Sequence, residues 1–279
     1  MFRDDELFLP IKVYIYLTNH CHYECDYCFL KEMKMLNTKE ISKEDLEKIA
    51  YYLEKYKVPL VAICGGDPIL HPKLIDFVQL LSEHKNYPTI ATNAVDVSYE
   101  YLYQLKSAGI RYLQIGIDSL RYSKLDNYKE NGHLRKVEKT VKYLKELGIL
   151  YGFATCVTRK NIGELSKIAS YAKETGAELL KLSTYDGENQ VYKLTEIQKE
   201  ELKIFVRQYN TDGIYVRYSP VQETLNYVSE YPSLTIYANG DLAIEETGDV
   251  IGNISTSEPA VEYKKYILEK WRTNKWSIN

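Results

Sequence analysis

Apolar positions along the chain switch between two spacings. From residue 12 to about residue 185, short apolar or alternating runs are separated by stretches in which apolar residues recur every three or four positions, the marks of strands and helices respectively. The run over 11–17 (IKVYIYL) predicts a strand. Leu46, Ile49, Ala50 and Leu53 then form a helical stripe, opened by Ser42 with Asp45 three positions on as a capping pair. Leu60 to Ile63 predicts a second strand that closes on Gly65-Gly66, and Leu74, Phe77, Val78 and Leu81 make the next stripe. Thr89–Thr92 predicts a strand, Ser98 begins a helix, residues 112–117 predict a strand, and Leu134, Val137, Val141 and Leu144 a helix. Residues 149–157, the stripe Leu165, Ile168, Ala169 and Ala172, and residues 178–182 continue the alternation. Gly109, Gly148 and Gly176 stand where a helix stops and a strand begins, a place suited to a left-handed residue without a Cβ.

Strand and helix in strict alternation predict an α/β fold with a parallel sheet and helical crossovers. Right-handed crossovers curl six such units into a partial (β/α)6 TIM-type barrel whose strand C-termini open on one face. Thr195 and Gln198 then form a capping box for a helix bearing Leu202, Phe205 and Val206, read as the last barrel helix. In the run 233–246, Asn239-Gly240 separates two alternating segments, which predicts a hairpin. These signals divide the chain into a barrel core over residues 1–212 and a small α+β extension over 213–279, packed on the barrel because no low-complexity linker separates them. The run 263–275 (YKKYILEKWRTNK) is basic and aromatic, and predicts a solvated helix face with Trp271 packed inward.

Composition narrows the class. Of 279 residues, 45% are hydrophobic and 27% charged, enough apolar material for a large core. Lys and Arg number 36 against 39 Asp and Glu, a net charge of −3, which supplies no positive field for a phosphate backbone and argues against DNA binding. No apolar run approaches the roughly 20 residues that cross a bilayer, and the opening MFRDDELFLP is acidic where a secretion signal is basic. A cytoplasmic chain without a membrane partner is expected. Five cysteines, three of them within residues 21–28, suit ligation or catalysis in a reducing compartment better than a disulfide framework. The 27 tyrosines follow no period and read as compositional bias.

Cys21, Cys25 and Cys28 follow the first strand with C-x3-C-x2-C spacing, at the mouth of the predicted barrel. Three thiolates on one loop can hold three irons of a cubane cluster and leave the fourth open to chelate a small ligand. A closed zinc site asks for four ligands, so a zinc knuckle completed by His20 or His22 is the other reading. CGGDP at 64–68 closes the second strand. Gly65 and Gly66 let backbone approach a ligand, Asp67 can accept from an ammonium, and Pro68 fixes the turn; the same residues also suit an ordinary strand-to-helix connection.

The cysteine loop with Tyr27 ahead of its third cysteine, the GGDP turn, Thr92-Asn93 ending the third strand and IGIDS at 115–119 resemble the radical S-adenosylmethionine (radical SAM) superfamily, over roughly residues 11–185. That resemblance implies a partial (β/α)6 barrel with a [4Fe-4S] cluster on Cys21, Cys25 and Cys28 and S-adenosylmethionine chelating the unique iron. It implies Tyr27 beside the adenine, and Gly65, Gly66 and Asp67 at the methionine amine, with Asp67 in place of the commoner Glu. Thr92 and Asn93 belong to the same cofactor site by this likeness. Asp118 matches a fourth-strand position that often contacts the ribose, although Gly116 stands where a serine is often found. In ATCVTRKN, 154–161, Thr158 and Asn161 resemble the adenosyl end of the fifth strand, and a polar loop without ligand contact is the other reading. The implied chemistry is reductive cleavage of S-adenosylmethionine to a 5′-deoxyadenosyl radical that abstracts hydrogen from a substrate. It requires a low-potential electron donor such as a flavodoxin or ferredoxin.

Cys64 and Cys156 lie in apolar strand contexts and are expected in the core; the sharper reading makes Cys156 a hydrogen donor, as in peptide epimerases that resemble this family. The tail 233–254 with its following helix resembles the SPASM subgroup, whose members mostly modify peptides and proteins. No cysteine follows Cys156, so the auxiliary clusters of that subgroup cannot form; Glu245 and Glu246 stand near where it places a cysteine and are assigned no ligand role. A lid over the open barrel is the simpler role for this tail. A peptide substrate is therefore expected, with a nucleotide, tetrapyrrole or other small metabolite open. The CDYCF stretch at 25–29 looks viperin-like and favours a nucleotide. A non-catalytic metal-binding or sensor protein is the reading from another class, and Asp67 and Asp118 argue against it.

Overall fold

The structure, a computed structural model, describes residues 7–36, 38–121, 132–210, 214–219 and 231–272. Strands β1 (Lys12–Thr18), β2 (Leu60–Gly65), β3 (Tyr87–Thr92), β4 (Tyr112–Gly116), β5 (Leu150–Val157), β6 (Leu179–Thr184) and β7 (Tyr215–Ser219) are parallel neighbours in chain order. Between them run α1 (Phe29–Glu32), α2 (Lys43–Lys55), α3 (Leu74–Glu83), α4 (Tyr99–Ala108), α5 (His133–Leu147), α6 (Leu165–Glu174) and α7 (Glu196–Tyr209). The chain ends with β8 (Leu234–Ile236), β9 (Asp241–Ile244), β10 (Val250–Asn253) and α8 (Pro259–Arg272). All ten strands form one sheet in the order β10-β9-β8-β1-β2-β3-β4-β5-β6-β7, so β7 and β10 are its edges and the barrel is open.

Local signals set these elements. Ser42 accepts the N–H of Asp45 at the start of α2, Ser98 that of Tyr101 at α4, and Thr195 with Gln198 completes a reciprocal capping box at α7. Gly109 and Gly148 end α4 and α5 in the left-handed region, at φ +118 and +65. The predicted stripes are the buried faces: Leu46, Ile49, Ala50 and Leu53 of α2, and Leu165, Ile168, Ala169 and Ala172 of α6, are all buried. Opposite them the sheet presents Val13, Ile15 and Leu17, Val61 and Ile63, Leu113 and Ile115, Leu180 and Leu182, buried at alternate positions. Each such side chain contributes about 1.5–3 kcal/mol by leaving water. Alternation turns the intervening residues toward the inner face.

The sheet is larger than the alternation predicted. A seventh parallel strand, β7, pairs with β6 in the register Lys181↔Arg217, and the boundary predicted at 212/213 lies outside the described residues. The predicted hairpin is β8–β9, its turn closed by Tyr237 and Gly240 at φ +87. β8 also pairs in parallel with β1, Val13↔Leu234 to Ile15↔Ile236, so the extension continues the barrel sheet. In α8 the buried residues are Tyr263, Tyr266 and Ile267, and Tyr263 donates to the Pro232 carbonyl at 2.7 Å. Trp271 does not pack inward: it is 41% exposed and meets Tyr231 edge-on, because the apolar stripe of α8 runs through 263, 266 and 267 and leaves position 271 on its border. Residues 273–275 of the predicted basic run lie outside the described residues.

Candidate functional site

The C-terminal end of β1 and the turn after β2 are built into each other. Gly66 donates its N–H to the Thr18 carbonyl at 2.8 Å, and Asp67 its N–H to the His20 carbonyl at 2.7 Å. A Cβ on Gly65, whose φ is +148, would lie 2.2 Å from the Thr18 oxygen, and one on Gly66 2.3 Å from the His20 oxygen. Backbone meets backbone here, so only glycine fits. The cysteine loop starts directly above. Buried Leu30 anchors the four-residue α1, Cys28 stands at its N-cap, and Cys28 donates its N–H to the Cys25 carbonyl at 3.1 Å.

Asp67 is wholly buried, and its carboxylate is spoken for by the end of β3. Oδ1 accepts from Thr92 Oγ1 at 2.7 Å and Oδ2 from the Asn93 N–H at 3.2 Å, with His22 Nδ1 3.6 Å away. Hydrogen bonding to Asp67 holds the His22 imidazole above its ordinary value. His22 therefore faces the carboxylate, not the sulfurs. Thr92 Oγ1 also accepts from Ala94, which adopts φ +57. Asn93 reaches the other way, its Nδ2 donating to Cys21 Sγ at 3.4 Å, where the Tyr23 N–H also donates at 3.4 Å.

A second network joins the ends of β4 and β5 to the loop. Tyr27 donates its hydroxyl to Asp118 Oδ2 at 2.5 Å, and the Cys156 N–H donates to Oδ1 at 2.9 Å. Burial, then the Asp118 charge, push the Tyr27 phenol well above its usual range, so it stays a donor. Asn161 Nδ2 donates to the carbonyls of Asp118 and Cys156 at 2.9 and 2.8 Å, and its Oδ1 accepts the Thr158 N–H at 2.7 Å. Thr158 is thus buried in a β5 turn that Asn161 closes.

One apolar cluster holds Tyr23, Cys25, Tyr27, Val95, Tyr185 and Tyr192, with Cys21, Cys28 and Cys156 packed against it. The structure therefore brings together the three loop cysteines, Tyr27, Asn93, Asp118 and Cys156 at one mouth. Cys156 is not core: it is half-buried beside the loop, because Val157 takes the helix-facing position of β5. Cys64 is half-buried as well, on the face opposite Val61 and Ile63. Four neighbours escaped the sequence reading. Tyr185 and Tyr192 meet at 5.6 Å, with the Tyr185 hydroxyl donating to Glu32, and Tyr23 donates to His133 Nδ1 at 3.0 Å while Nε2 lies 3.2 Å from the Gly116 carbonyl. A carbonyl only accepts, so Nε2 carries a proton.

The donor set suits an iron–sulfur cubane. Among the described residues no three histidine, cysteine or carboxylate side chains converge on one point, as a mononuclear metal site requires. A cubane spreads its protein ligands over separate irons, and three sulfurs on one loop can hold it while N–H groups aimed at sulfur tune it. Cys21 has two such donors. Burial pushes its thiol up to about 12, a proton that only a bound cation would displace at neutral pH.

The sequence profile of the Radical SAM superfamily matches residues 15–172, more than half of the chain. The chain belongs to the radical SAM superfamily. Among curated proteins it is similar to GTP 3′,8-cyclase of Peptoclostridium acidaminophilum, 30% identical over 139 residues, covering 48% of this chain and 42% of that one. It is also similar to PqqA peptide cyclase of Bradyrhizobium diazoefficiens, 25% identical over 178 residues, covering 63% of this chain and 46% of the relative. The chain thus spans less than half the length of these two relatives. In fold it is similar to Streptococcus suis SuiB bound to precursor peptide SuiA, with TM-score 0.79 and 17% identity over 97% of this chain and 68% of that one. The open barrel of this radical SAM protein is accordingly the α/β architecture expected from the sequence. No helix among the described residues is long and apolar enough to cross a membrane.

Proposed function

We propose that this chain is a radical SAM enzyme that modifies a peptide, working in the cytoplasm with one [4Fe-4S] cluster, S-adenosylmethionine and a low-potential donor such as a flavodoxin or ferredoxin. One observation carries the reading: the three cysteines of one loop share a mouth with the ends of β2, β3, β4 and β5. Cys21, Cys25 and Cys28 would hold the cluster. When bound, cluster and S-adenosylmethionine supply a primary carbon radical able to remove hydrogen from an unactivated C–H bond.

This chain's own residues bind, orient and exclude water. Tyr27, Asp118 and Asn161 hold the loop against the strand ends where the adenosyl portion belongs, with Thr158 in the same turn; Gly65, Gly66, Asp67, Thr92 and Asn93 shape the methionine end. Tyr185 and Tyr192 cover the loop and keep the mouth dry, as radical chemistry requires. Cys156 sits within this mouth and gives a hydrogen atom to the substrate radical, the resulting thiyl radical being returned to the thiol by one electron from the low-potential donor and a proton from solvent; Cys156→Ala is expected to leave 5′-deoxyadenosine formation intact and stall product. The SPASM-like extension begins at 213 and carries no cysteine; within it β7 widens the parallel sheet beside β6, and β8 finishes the wall beside β1. The peptide assignment draws on that extension and on likeness to PqqA peptide cyclase and to SuiB with its precursor peptide.

A nucleotide substrate is the second reading, favoured by the 30% identity to GTP 3′,8-cyclase. Anaerobic reconstitution, reduction with dithionite and a search for 5′-deoxyadenosine in the presence of S-adenosylmethionine tests the chemistry. Iron and sulfide near four each per chain with nucleoside release are expected. Zinc in their place, or a cluster that never cleaves S-adenosylmethionine, would overturn the proposal.

A further inference from the structure

The inner face of the sheet carries charges that the cluster chemistry does not use. In β1, Lys12, Tyr14 and Tyr16 alternate with the buried Val13, Ile15 and Leu17, so they face inward. The same parity turns Cys64 of β2, Gln114 of β4, Lys181 of β6 and Arg217 of β7 to that side, opposite Ile63, Ile115, Leu182 and Val216. Lys181 and Arg217 are register partners on adjacent strands. Lys12 Nζ donates to the Tyr14 hydroxyl at 2.7 Å and lies over its ring, 4.2 Å from the centroid. Burial first, then the positive charges of Lys181 and Arg217, hold the Lys12 ammonium below the ordinary lysine range. Cations on opposite walls therefore feel one another across the lumen.

Acceptors for these donors are scarce. Among the described residues Lys181 and Arg217 form no ion pair, and the one carboxylate whose charge bears on Lys12 beside them is Glu245, which already accepts from Thr235 Oγ1. Gln114 accepts from the Tyr112 hydroxyl at 3.0 Å through Oε1, while its buried Nε2 has no partner. Burial pushes the phenols of Tyr14 and Tyr16 and the thiol of Cys64 upward, so all three stay neutral at pH 7. Lys12 and Lys181 are half-buried and Arg217 is exposed at the edge strand, so this cationic face lacks a counter-charge that an entering anion would supply. The seat also lies at a useful depth. Lys181 pairs with Ala154, one rung of two residues, about 7 Å, below the Cys156–Ser183 pair at the mouth.

We infer that Lys12, Lys181, Arg217 and the amide of Gln114 form a seat for an oxyanion of the substrate, which enters the lumen acid first and leaves a neighbouring C–H bond at the level of the cysteine mouth. The inference rests on the proposed function only for where substrate enters. The shared chemistry is an oxyanion, supplied by a carboxylate in a peptide or by a phosphate in a nucleotide.

The test uses the anaerobically reconstituted full chain and two probes, a displayed random heptapeptide library and GTP, on the wild type, the double variant Lys181→Gln with Arg217→Gln, and Lys181→Arg. Melting temperature and iron content serve as folding controls; if the double variant fails them, Lys12→Gln replaces it. The wild type should enrich peptides containing Asp or Glu, and a selected peptide should bind the double variant at least about tenfold more weakly, with Lys181→Arg close to wild type. GTP binding with the same loss, and no peptide enriched, keeps the seat and removes the peptide reading. Enrichment without acidic residues, or equal binding of whichever probe is retained by wild type and double variant, removes the seat and leaves the peptide reading standing. Retention of neither probe by the wild type overturns the seat.

Discussion

Tyr27 and Asp118 are 91 positions apart in the chain and joined by a buried hydrogen bond of 2.5 Å. The same carboxylate accepts the Cys156 N–H with its other oxygen, so one side chain ties the cysteine loop, the end of β4 and the end of β5 together. Tyr27→Phe deletes the donor and leaves a buried carboxylate short of a partner, which costs about 1–3 kcal/mol. Urea denaturation of the two proteins measures it. Iron content should stay near wild type, since no sulfur is lost, and an unchanged midpoint would mean that the bond carries no load.

Each loop cysteine is expected to be needed for metal, while the two strand cysteines are not. Cys21→Ala, Cys25→Ala or Cys28→Ala should lower iron and sulfide after anaerobic reconstitution to background, with Cys64→Ala and Cys156→Ala close to wild type. Removing iron by chelation should likewise abolish any S-adenosylmethionine cleavage. Full iron retention in one of the loop variants would take that residue out of the ligand set.

Gly66→Ala probes the junction of the turn with the loop. The new Cβ would fall 2.3 Å from the His20 oxygen and 2.7 Å from the Asn19 oxygen, both main-chain atoms that cannot rotate away. The segment between Thr18 and Cys21 has to move, costing about 1–3 kcal/mol and disturbing the sulfurs. A lowered melting temperature together with reduced iron per chain is expected. Gly163→Ala, with nothing within 4 Å of the new methyl group, is the control and should change neither.

Cys64 is half-buried by surface exposure yet enclosed by the lumen, and burial, followed by the Glu245 charge, pushes its thiol up to about 12. The shift is upward, so the native state holds this proton more tightly than the unfolded chain does. The associated stability is complete below the ordinary cysteine value and is lost as pH rises from there toward 12. Iodoacetamide at pH 8 should therefore label Cys64 slowly in the folded protein and rapidly in urea, read by peptide mass spectrometry. Fast labelling of the folded chain at pH 8 would contradict the enclosure.

Much of this was legible in the sequence, for physical reasons. Ser42, Ser98 and Thr195 act within one helical turn, and Leu46 to Leu53 or Leu165 to Ala172 reveal a buried face by spacing alone, so the six strand–helix units could be read locally. β7, with the sequence YVRYS, alternates over only five residues and carries an exposed arginine, too weak a signal to count as a barrel strand. That β8 would pair with β1, over two hundred residues earlier, is invisible to any local pattern. In the site, Cys21, Gly65, Gly66, Asp67 and Asn93 announced themselves as short motifs, whereas Tyr185 and Tyr192 are two of 27 tyrosines. His133 was equally silent, since its partners Tyr23 and Gly116 lie far off in the chain. Apolar neighbours suggested a core position for Cys64 and Cys156, and both are half-buried on the inner face. Their parity against Ile63 and Val157 was the signal that could have turned them to the inner face.

Asn161 is expected to matter more than its place in a polar loop suggests. Its amide donates to two main-chain carbonyls, of Asp118 and Cys156, and its oxygen accepts the Thr158 N–H, all within a buried turn. Asn161→Ala strands these groups away from water, at about 1–3 kcal/mol for each one left unsatisfied. Asn161→Asp keeps the acceptor for Thr158 but replaces the donor with a carboxylate facing two carbonyl oxygens, so it should be no better than alanine. Asn161→Gln keeps both functions on a longer arm that has no room in the turn. Denaturation midpoints should therefore fall for all three, and retention of S-adenosylmethionine by the reconstituted protein should fall with them, because the ends of β4 and β5 would no longer be held in register. Wild-type stability in Asn161→Ala would mean that water replaces the amide and the turn is open to solvent.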